Sequence, residues 1–290
     1  YPTNEVKVCS NCHSDANYMK KFDPGLPTDQ YAKYKTSVHG QKNAEGDTKV
    51  ATCSDCHSAH TIFAADDPRA QTYPYNIPQT CATCHSDKDY MKEYDIPTDQ
   101  FEKFAKSVHG KTLLEKHDNS APSCNDCHGN HGAVPVGVED ISHICGTCHA
   151  LNANMFAESP HAEVFEKQNI PQCEVCHNNH LIKHPTDKML GVHDNSVCIK
   201  CHESPDDRGY IVSKKMRIKI DSLLYLRTRA KEVLDSAENK GMDVSDARYK
   251  LPNINDILIK ARTVTHKANL KAFKKEIDPG YNIVTGALTR

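Results

Sequence analysis

The chain has 290 residues, enough for one large domain or two modest ones, and 38% of them are hydrophobic, with no tryptophan. This apolar content is thin for a chain of this length, so we expect that something other than side chains fills part of the interior. The formal net charge of −2, with both signs interspersed, excludes the basic excess of a nucleic-acid-binding protein, and no apolar run reaches the length of a membrane span.

The cysteines carry the strongest pattern in the sequence. They form seven pairs, each separated by two residues and followed at once by a histidine, and no cysteine is left over. The paired residues are Cys9 and Cys12, Cys53 and Cys56, Cys81 and Cys84, Cys124 and Cys127, Cys145 and Cys148, Cys173 and Cys176, and Cys198 and Cys201. A disulfide framework and structural zinc are two alternatives for such a count, but neither requires a histidine directly after every second cysteine.

The Cys-x-x-Cys-His spacing fits the attachment of haem c. Two thiols three positions apart can add to the two vinyl groups of one haem, and the adjacent histidine then lies under the iron. The motifs therefore predict seven covalently attached haems. The predicted proximal ligands are His13, His57, His85, His128, His149, His177 and His202.

Six further histidines recur in two contexts and are predicted as distal iron ligands. His39, His109 and His161 each lie in a short tag before a haem motif, which reads Ser-Val-His-Gly twice and Ser-Pro-His once. His60, His131 and His180 each follow a proximal histidine by three residues. The latter three are too close in sequence to their own proximal histidine to reach round the ring, so each is expected to ligate a neighbouring haem.

A seventh distal ligand has no recurring context. His266 is the first candidate, because it is the only histidine after His202 and lies on a predicted helix, and His193 is the second.

The haem motifs define an internal repeat. Residues 9–60, 81–131 and, in compressed form, 145–180 each contain two motifs and one tag, and residues 198–202 hold a final single motif. We therefore expect a heptahaem domain over residues 1–205. Pro-Thr-Asp-Gln at 27–30 and 97–100 predicts helix starts, while abundant Pro, Gly, Asn and Asp elsewhere predict loop. The predicted fold class is mainly α with much irregular loop.

Residues 206–290 have a different composition, with no cysteine and a single histidine. The pattern predicts a helix over 210–239 that stops near Gly241. It predicts a second helix from Asn253, as N-cap, to about Glu276, ended by Asp278-Pro279-Gly280. The two helices are expected to form an antiparallel hairpin.

With these motifs, residues 1–205 resemble the multihaem c-type cytochromes of respiratory bacteria, of the class III type. The resemblance implies an elongated array of low-spin haems with two histidine ligands each, located in the periplasm or outside the cell. It implies electron transfer in anaerobic respiration, with other cytochromes or a membrane quinol-oxidising complex as partners. Some relatives form homo-oligomeric haem filaments. The start at Tyr1 without an apolar leader predicts an exported chain whose signal peptide has been removed, with a chain trimmed at its N-terminus as the alternative.

Two functions follow from different ligand counts. If every iron has two histidine ligands, the protein is an electron carrier and not an enzyme, because no axial position is open to substrate. If the seventh distal ligand is missing, one open haem would suit a reductase of a nitrogen or sulfur oxyanion. The absence of any Cys-x-x-Cys-Lys motif favours the carrier.

Overall fold

A computed structural model of the chain describes residues 2–137 and 140–289. It is 62% helical, and no strand occurs among the described residues. The rest is irregular loop and turn. The predicted class, mainly α with much loop, is confirmed at this level.

The chain folds into two compact units. The first contains Tyr1–Gly137 with Asn178–His184, and the second contains Val138–His177 with Pro185–Arg290. These units follow backbone contacts and differ from the division near residue 205, which rests on the positions of the haem motifs and stays a prediction.

Short helices make up the first unit, and four of them end on a histidine that directly follows a cysteine pair. They are α1 Pro2–His13, α2 Ala16–Met19, α3 Gln30–Thr36, α4 Val38–Ala44, α5 Cys53–His57, α6 Ile77–His85, α7 Lys88–Met91, α8 Gln100–Lys106, α9 Val108–Gly110 and α10 Cys124–His128. A 3-10 turn at Lys92–Tyr94 and a π turn at Lys111–Glu115 complete them. Helices α3 and α8 begin where Pro-Thr-Asp-Gln predicts.

The second unit contains short helices followed by much longer ones. They are α11 Ile141–Gly146, α12 Ala150–Ala157, α13 Pro160–Lys167, α14 Gln172–His177, α15 Arg208–Asn239, α16 Ser245–Lys250, α17 Asn253–Val264 and α18 Leu270–Leu288. Three 3-10 turns lie between them, at Asp187–Met189, Cys198–Lys200 and Thr265–Lys267.

Helix α15 begins and ends close to the predicted positions. At its end the backbone N–H of Gly241 donates to the carbonyl of Glu238 at 2.9 Å, and that of Met242 donates to Ala237 at 3.1 Å. This pair of bonds is a Schellman motif, which requires a left-handed residue at the first position after the cap. Gly241 meets that requirement, with φ of +81°.

The predicted second helix is wrong in three respects. Asn253 is the first helical residue and not the N-cap. The helix is interrupted after Val264 by a 3-10 turn and by Ala268 in the left-handed conformation, and Asn269 then caps α18. Helix α18 also continues through Pro279, so residues 206–289 contain α15 to α18 in place of two helices.

Packing explains why α18 passes through Pro279. A proline inside a helix costs about 3 kcal/mol relative to alanine. The buried residues of α18 recur every three or four positions on both sides of it: Phe273, Ile277, Gly280, Val284 and Ala287. A continuous buried stripe of this length stabilises the helix by more than the proline costs. Gly280 lies so close to α15 that an added Cβ would be 2.7 Å from Leu223.

The contiguous apolar core belongs to these C-terminal helices. Its buried members are Met216, Ile220, Leu223, Ala230, Leu234, Val244, Ala247, Ile254, Leu258, Ala261, Val264, Phe273, Ile277, Val284 and Ala287. Among the helices of the described residues, none has the length and hydropathy needed to cross a membrane, as the sequence predicted.

Candidate metal centres

The Ser-Val-His-Gly tags are built to hold their histidine at the start of a helix. The buried Ser37 hydroxyl accepts a hydrogen bond from the Gly40 backbone N–H at 2.9 Å, which caps α4. A Cβ on Gly40 would lie 1.9 Å from the carbonyl oxygen of Tyr34. The close contact between α4 and the end of the preceding helix α3 therefore requires a glycine at position 40. The second tag repeats both features with Ser107 and Gly110.

Each of these two tags is also bound to a loop that follows a later haem motif. The backbone N–H of Val38 donates to the carbonyl of Ala133 at 3.1 Å, and that of Val108 donates to Ile182 at 2.8 Å. Ala133 and Ile182 each lie two residues after the second histidine of a Cys-x-x-Cys-His-x-x-His segment. The repeat seen in sequence is therefore a repeat of tertiary contacts.

Five pairs of histidine rings lie at nearly one spacing, and each pair joins a predicted proximal ligand to a predicted distal one. The centroids are 6.0 Å apart for His85 and His39, 6.0 Å for His57 and His131, 5.9 Å for His128 and His180, 5.9 Å for His202 and His161, and 6.2 Å for His177 and His266.

This spacing is suited to one metal ion between two imidazoles. A bond from a metal to an imidazole nitrogen is about 2 Å long, so two such bonds on opposite sides of one ion place the ring centroids roughly 6 Å apart. A haem iron takes four equatorial nitrogens from the porphyrin and needs only two ligands from the protein. The paired rings, each beside a Cys-x-x-Cys segment, therefore fit haem c.

The ring planes divide the pairs into two groups. The planes are nearly parallel, at 8°, 14° and 17°, in the pairs of His57, His128 and His177. They are tilted, at 53° and 45°, in the pairs of His85 and His202. The relative orientation of axial imidazoles sets the splitting of the iron d orbitals, so the two groups differ in the electronic structure they would impose.

Burial lowers the pKa of most of these imidazoles. It is the largest cause of a lowered pKa at His39, His57, His85, His131, His161, His177 and His180. Metal ligation requires a neutral imidazole with a lone pair, so the lowered pKa values favour binding.

The other predicted ligands take several positions. His13 and His60 are exposed, and no ring contact joins them, although both lie in the part of the chain that the structure describes. His109 is half-buried and His149 is exposed. His193, the second candidate for the seventh distal ligand, lies beside Arg217, with Nε2 3.5 Å from its guanidinium nitrogen.

Neighbouring motifs bring their first cysteines into contact. The contacting thiols are Cys9 with Cys53, Cys81 with Cys124, and Cys145 with Cys173. Burial, followed by the neighbouring Cys9, raises the pKa of Cys53 to about 12, and the contact with Cys124 together with burial raises that of Cys81. No disulfide joins any of the fourteen cysteines, all of which lie in described residues. Motifs one and two, three and four, and five and six are thus adjacent in the structure.

In three of the paired histidines, the Nδ1 atom lies at hydrogen-bond distance from an oxygen atom. Nδ1 of His128 is 3.1 Å from the carbonyl oxygen of Val134, and Nδ1 of His266 is 2.8 Å from that of Thr263. Nδ1 of His202 instead lies 2.9 Å from a carboxylate oxygen of Asp207. Such partners fix the ring orientation and leave Nε2 to face a metal.

No family model matches the chain, and the searches of curated proteins and of solved structures found no match. Among the described residues, no group of three or more His, Cys, Asp or Glu side chains is arranged to hold a metal ion.

Sequence reasoning missed Asp207, because nothing in the pattern marks an aspartate five residues after a Cys-x-x-Cys-His motif. It found both members of all five histidine pairs but could not match them to each other.

Proposed function

We propose that this protein transfers electrons through seven covalently attached haems c, held at its seven Cys-x-x-Cys-His motifs. The observation that carries the proposal is the spacing of about 6 Å between five pairs of imidazoles. Each pair joins a histidine directly after a cysteine pair to a histidine from another context. Two independent features, the thioether motif and the ligand geometry, therefore support the same cofactor.

The residues have three roles in this proposal. The cysteines anchor each haem through two thioethers, the histidines of the motifs hold the iron from one side, and the distal histidines hold it from the other. When bound, haem supplies an iron that gains or loses one electron. An imidazole on each side of an iron would exclude substrate from it, so the protein is proposed as a carrier and not an enzyme.

Ligand sharing between repeats would keep the haems close together. His131 belongs to the second repeat but lies opposite His57 of the first, and His180 of the third lies opposite His128 of the second. In each of these pairs, histidines from two repeats would hold the same iron. A linear array of this kind, similar to the class III multihaem cytochromes, is the arrangement we propose for residues 1–205.

The C-terminal helices would complete the array. His266 lies in the turn between α17 and α18, and its ring is 6.2 Å from that of His177. We therefore propose His266 as the distal ligand of the haem at Cys173 and Cys176. His60 and His109 are then expected to serve the irons at His13 and His149.

The cofactor chemistry also guides the proposals for location and partners. Thioether-bound haem is attached outside the cytoplasm in the resembling family, so we propose a periplasmic or extracellular site. Each haem adds two propionates, so the loaded protein would be more acidic than its formal charge of −2 and would attract a basic redox partner. Other cytochromes or a quinol-oxidising membrane complex are the proposed partners, and self-assembly into a filament is a further proposal that electron microscopy would test.

The first experiment is a haem count on the purified protein together with its ferric EPR spectrum. We expect an intact mass with seven haems, only low-spin signals, and no spectral shift with cyanide or nitrite. A count below seven would show that at least one motif carries no haem. A high-spin fraction or a ligand-induced shift would instead support the alternative, a reductase of a nitrogen or sulfur oxyanion with one open haem.

Two matched variants test the assignment of His266 as the distal ligand opposite His177. His266→Ala removes the ring opposite His177, so we expect one haem of seven to become high-spin and to bind cyanide. His193→Ala removes the other candidate, which lies beside Arg217, and should leave all spectra unchanged. The opposite outcome would assign the seventh ligand to His193.

A further inference from the structure

The imidazole of His202 has surroundings that set it apart from the other paired rings. Its Nδ1 lies 2.9 Å from Oδ1 of Asp207, whereas the corresponding nitrogens of His128 and His266 face neutral backbone carbonyls. Both members of the His202 contact are partly buried, with 26% and 35% of their side chains exposed. Solvent therefore screens this contact less than a surface ion pair.

Asp207 is held in place by the helix that follows it. It is the N-cap of α15, and its Oδ1 also accepts hydrogen bonds from the backbone N–H groups of Gly209 and Tyr210. The carboxylate thus has a fixed position set by a helix of 32 residues.

The ring of His202 is fixed from a second direction. A Cβ at position 209 would lie 2.2 Å from Cε1 of His202, so the imidazole packs directly on the backbone of Gly209. With Nδ1 turned to Asp207, Nε2 is the nitrogen that remains for a metal, and the His161 ring lies 5.9 Å away.

Resting on the haem function proposed above, we infer that Asp207 lowers the reduction potential of the haem at Cys198 and Cys201 by acting through His202. A carboxylate that accepts a hydrogen bond from the Nδ1–H gives the imidazole more anionic character and would make it a stronger donor to the metal. Stronger donation and the nearby negative charge both favour ferric over ferrous iron. The reduction itself adds one electron from a reduced redox protein and makes or breaks no bond.

The test is Asp207→Asn in the full chain loaded with haem. Asparagine is an equally good N-cap and keeps an oxygen that can accept from Nδ1, so it removes the charge and leaves the fold. Asp206→Asn is the matched control, because Asp206 is exposed and adjacent, and its removal causes the same charge change. Asp207→Ser, which also caps a helix without a carboxylate, is the second variant if the first does not fold.

Potentiometric titration followed by EPR and visible spectra provides the readout. A Cys198→Ala/Cys201→Ala variant lacks this haem and so identifies its component in the titration. We expect Asp207→Asn and Asp207→Ser to raise the reduction equilibrium constant of that component by about tenfold, or about 59 mV for one electron. The potentials of the other six components should stay unchanged in these variants. In Asp206→Asn the potentials of all seven components should stay unchanged.

Three results would overturn the inference: no shift of that component, a shift of a different component, or an equal shift in Asp206→Asn. Its failure is distinguishable from failure of the proposed function. A protein that carries seven haems by mass but whose titration does not respond to Asp207 refutes only the role of this residue. A protein without haem at Cys198 and Cys201 refutes the haem proposal at that motif.

Discussion

The two ends of the chain build their interiors from different materials. Residues 2–137, which hold four of the seven haem motifs, bury few hydrophobic side chains. These are Val6, Val50, Ala70, Ala82, Met91 and Leu113. Residues 208–288 bury fifteen hydrophobic side chains, all in one cluster that includes Leu223, Leu258 and Phe273. The first region is held mainly by caps, tags and short hydrogen-bonded turns, whereas the second has an ordinary side-chain core.

This difference indicates which part of the chain would need the proposed cofactor in order to fold. Ordering a residue costs roughly 1–2 kcal/mol of backbone entropy, and burial of apolar area must offset that cost. In the C-terminal helices the side chains supply this area. In residues 2–137 the small number of buried apolar side chains leaves most of this area to be supplied by another group, and the porphyrins at the four motifs of this region are the proposed source.

The strongest test of this comparison is the chain made without haem attachment. We expect residues 2–137 to lose their helical structure, while part of 208–288 stays folded on its own core. Circular dichroism would measure the lost helix, and limited proteolysis with mass spectrometry would identify the protected fragment. Protection of fragments within residues 9–131 would contradict the comparison.

A smaller effect is expected from a single core residue in the C-terminal helices. Ile254→Ala empties a fully buried position of α17 and should lower the free energy of unfolding of this region by about 2–5 kcal/mol. Ile259→Ala makes the same change on the same helix at a side chain that is 59% exposed, and should stay within about 0.5 kcal/mol. Denaturant unfolding of the haem-loaded protein would measure both, and equal losses would argue against a side-chain core here.

The smallest expected effect concerns glycine in the two regions. Gly40→Ala places a methyl group 1.9 Å from the carbonyl oxygen of Tyr34, so we expect a loss of about 1–3 kcal/mol and weaker ligation by His39. Gly286→Ala meets no atom within 4 Å on α18 and should stabilise the protein by up to about 1 kcal/mol. Thermal unfolding gives the sign of each change, and the low-spin spectrum reports on His39. A tolerated Gly40→Ala would show that the tag does not need the close approach.

Local sequence determined much of the helical structure. Pro-Thr-Asp-Gln marked the starts of α3 and α8, and Gly241 marked the end of α15, because caps and left-handed residues act over one turn. The same local rules were wrong at Pro279. There the packing of Phe273, Ile277 and Val284 against other helices outweighs the cost of the proline, and no local pattern reports that gain.

The candidate site divides in the same way. The candidate ligands follow from the sequence alone, because the Cys-x-x-Cys-His motifs and the tags are patterns confined to a few positions. The tertiary structure was needed to show which predicted distal histidine lies opposite which predicted proximal one, that His266 and not His193 faces His177, and that Asp207 contacts His202. These contacts join distant segments or depend on side-chain direction, so they follow from how the helices and loops pack and not from local spacing.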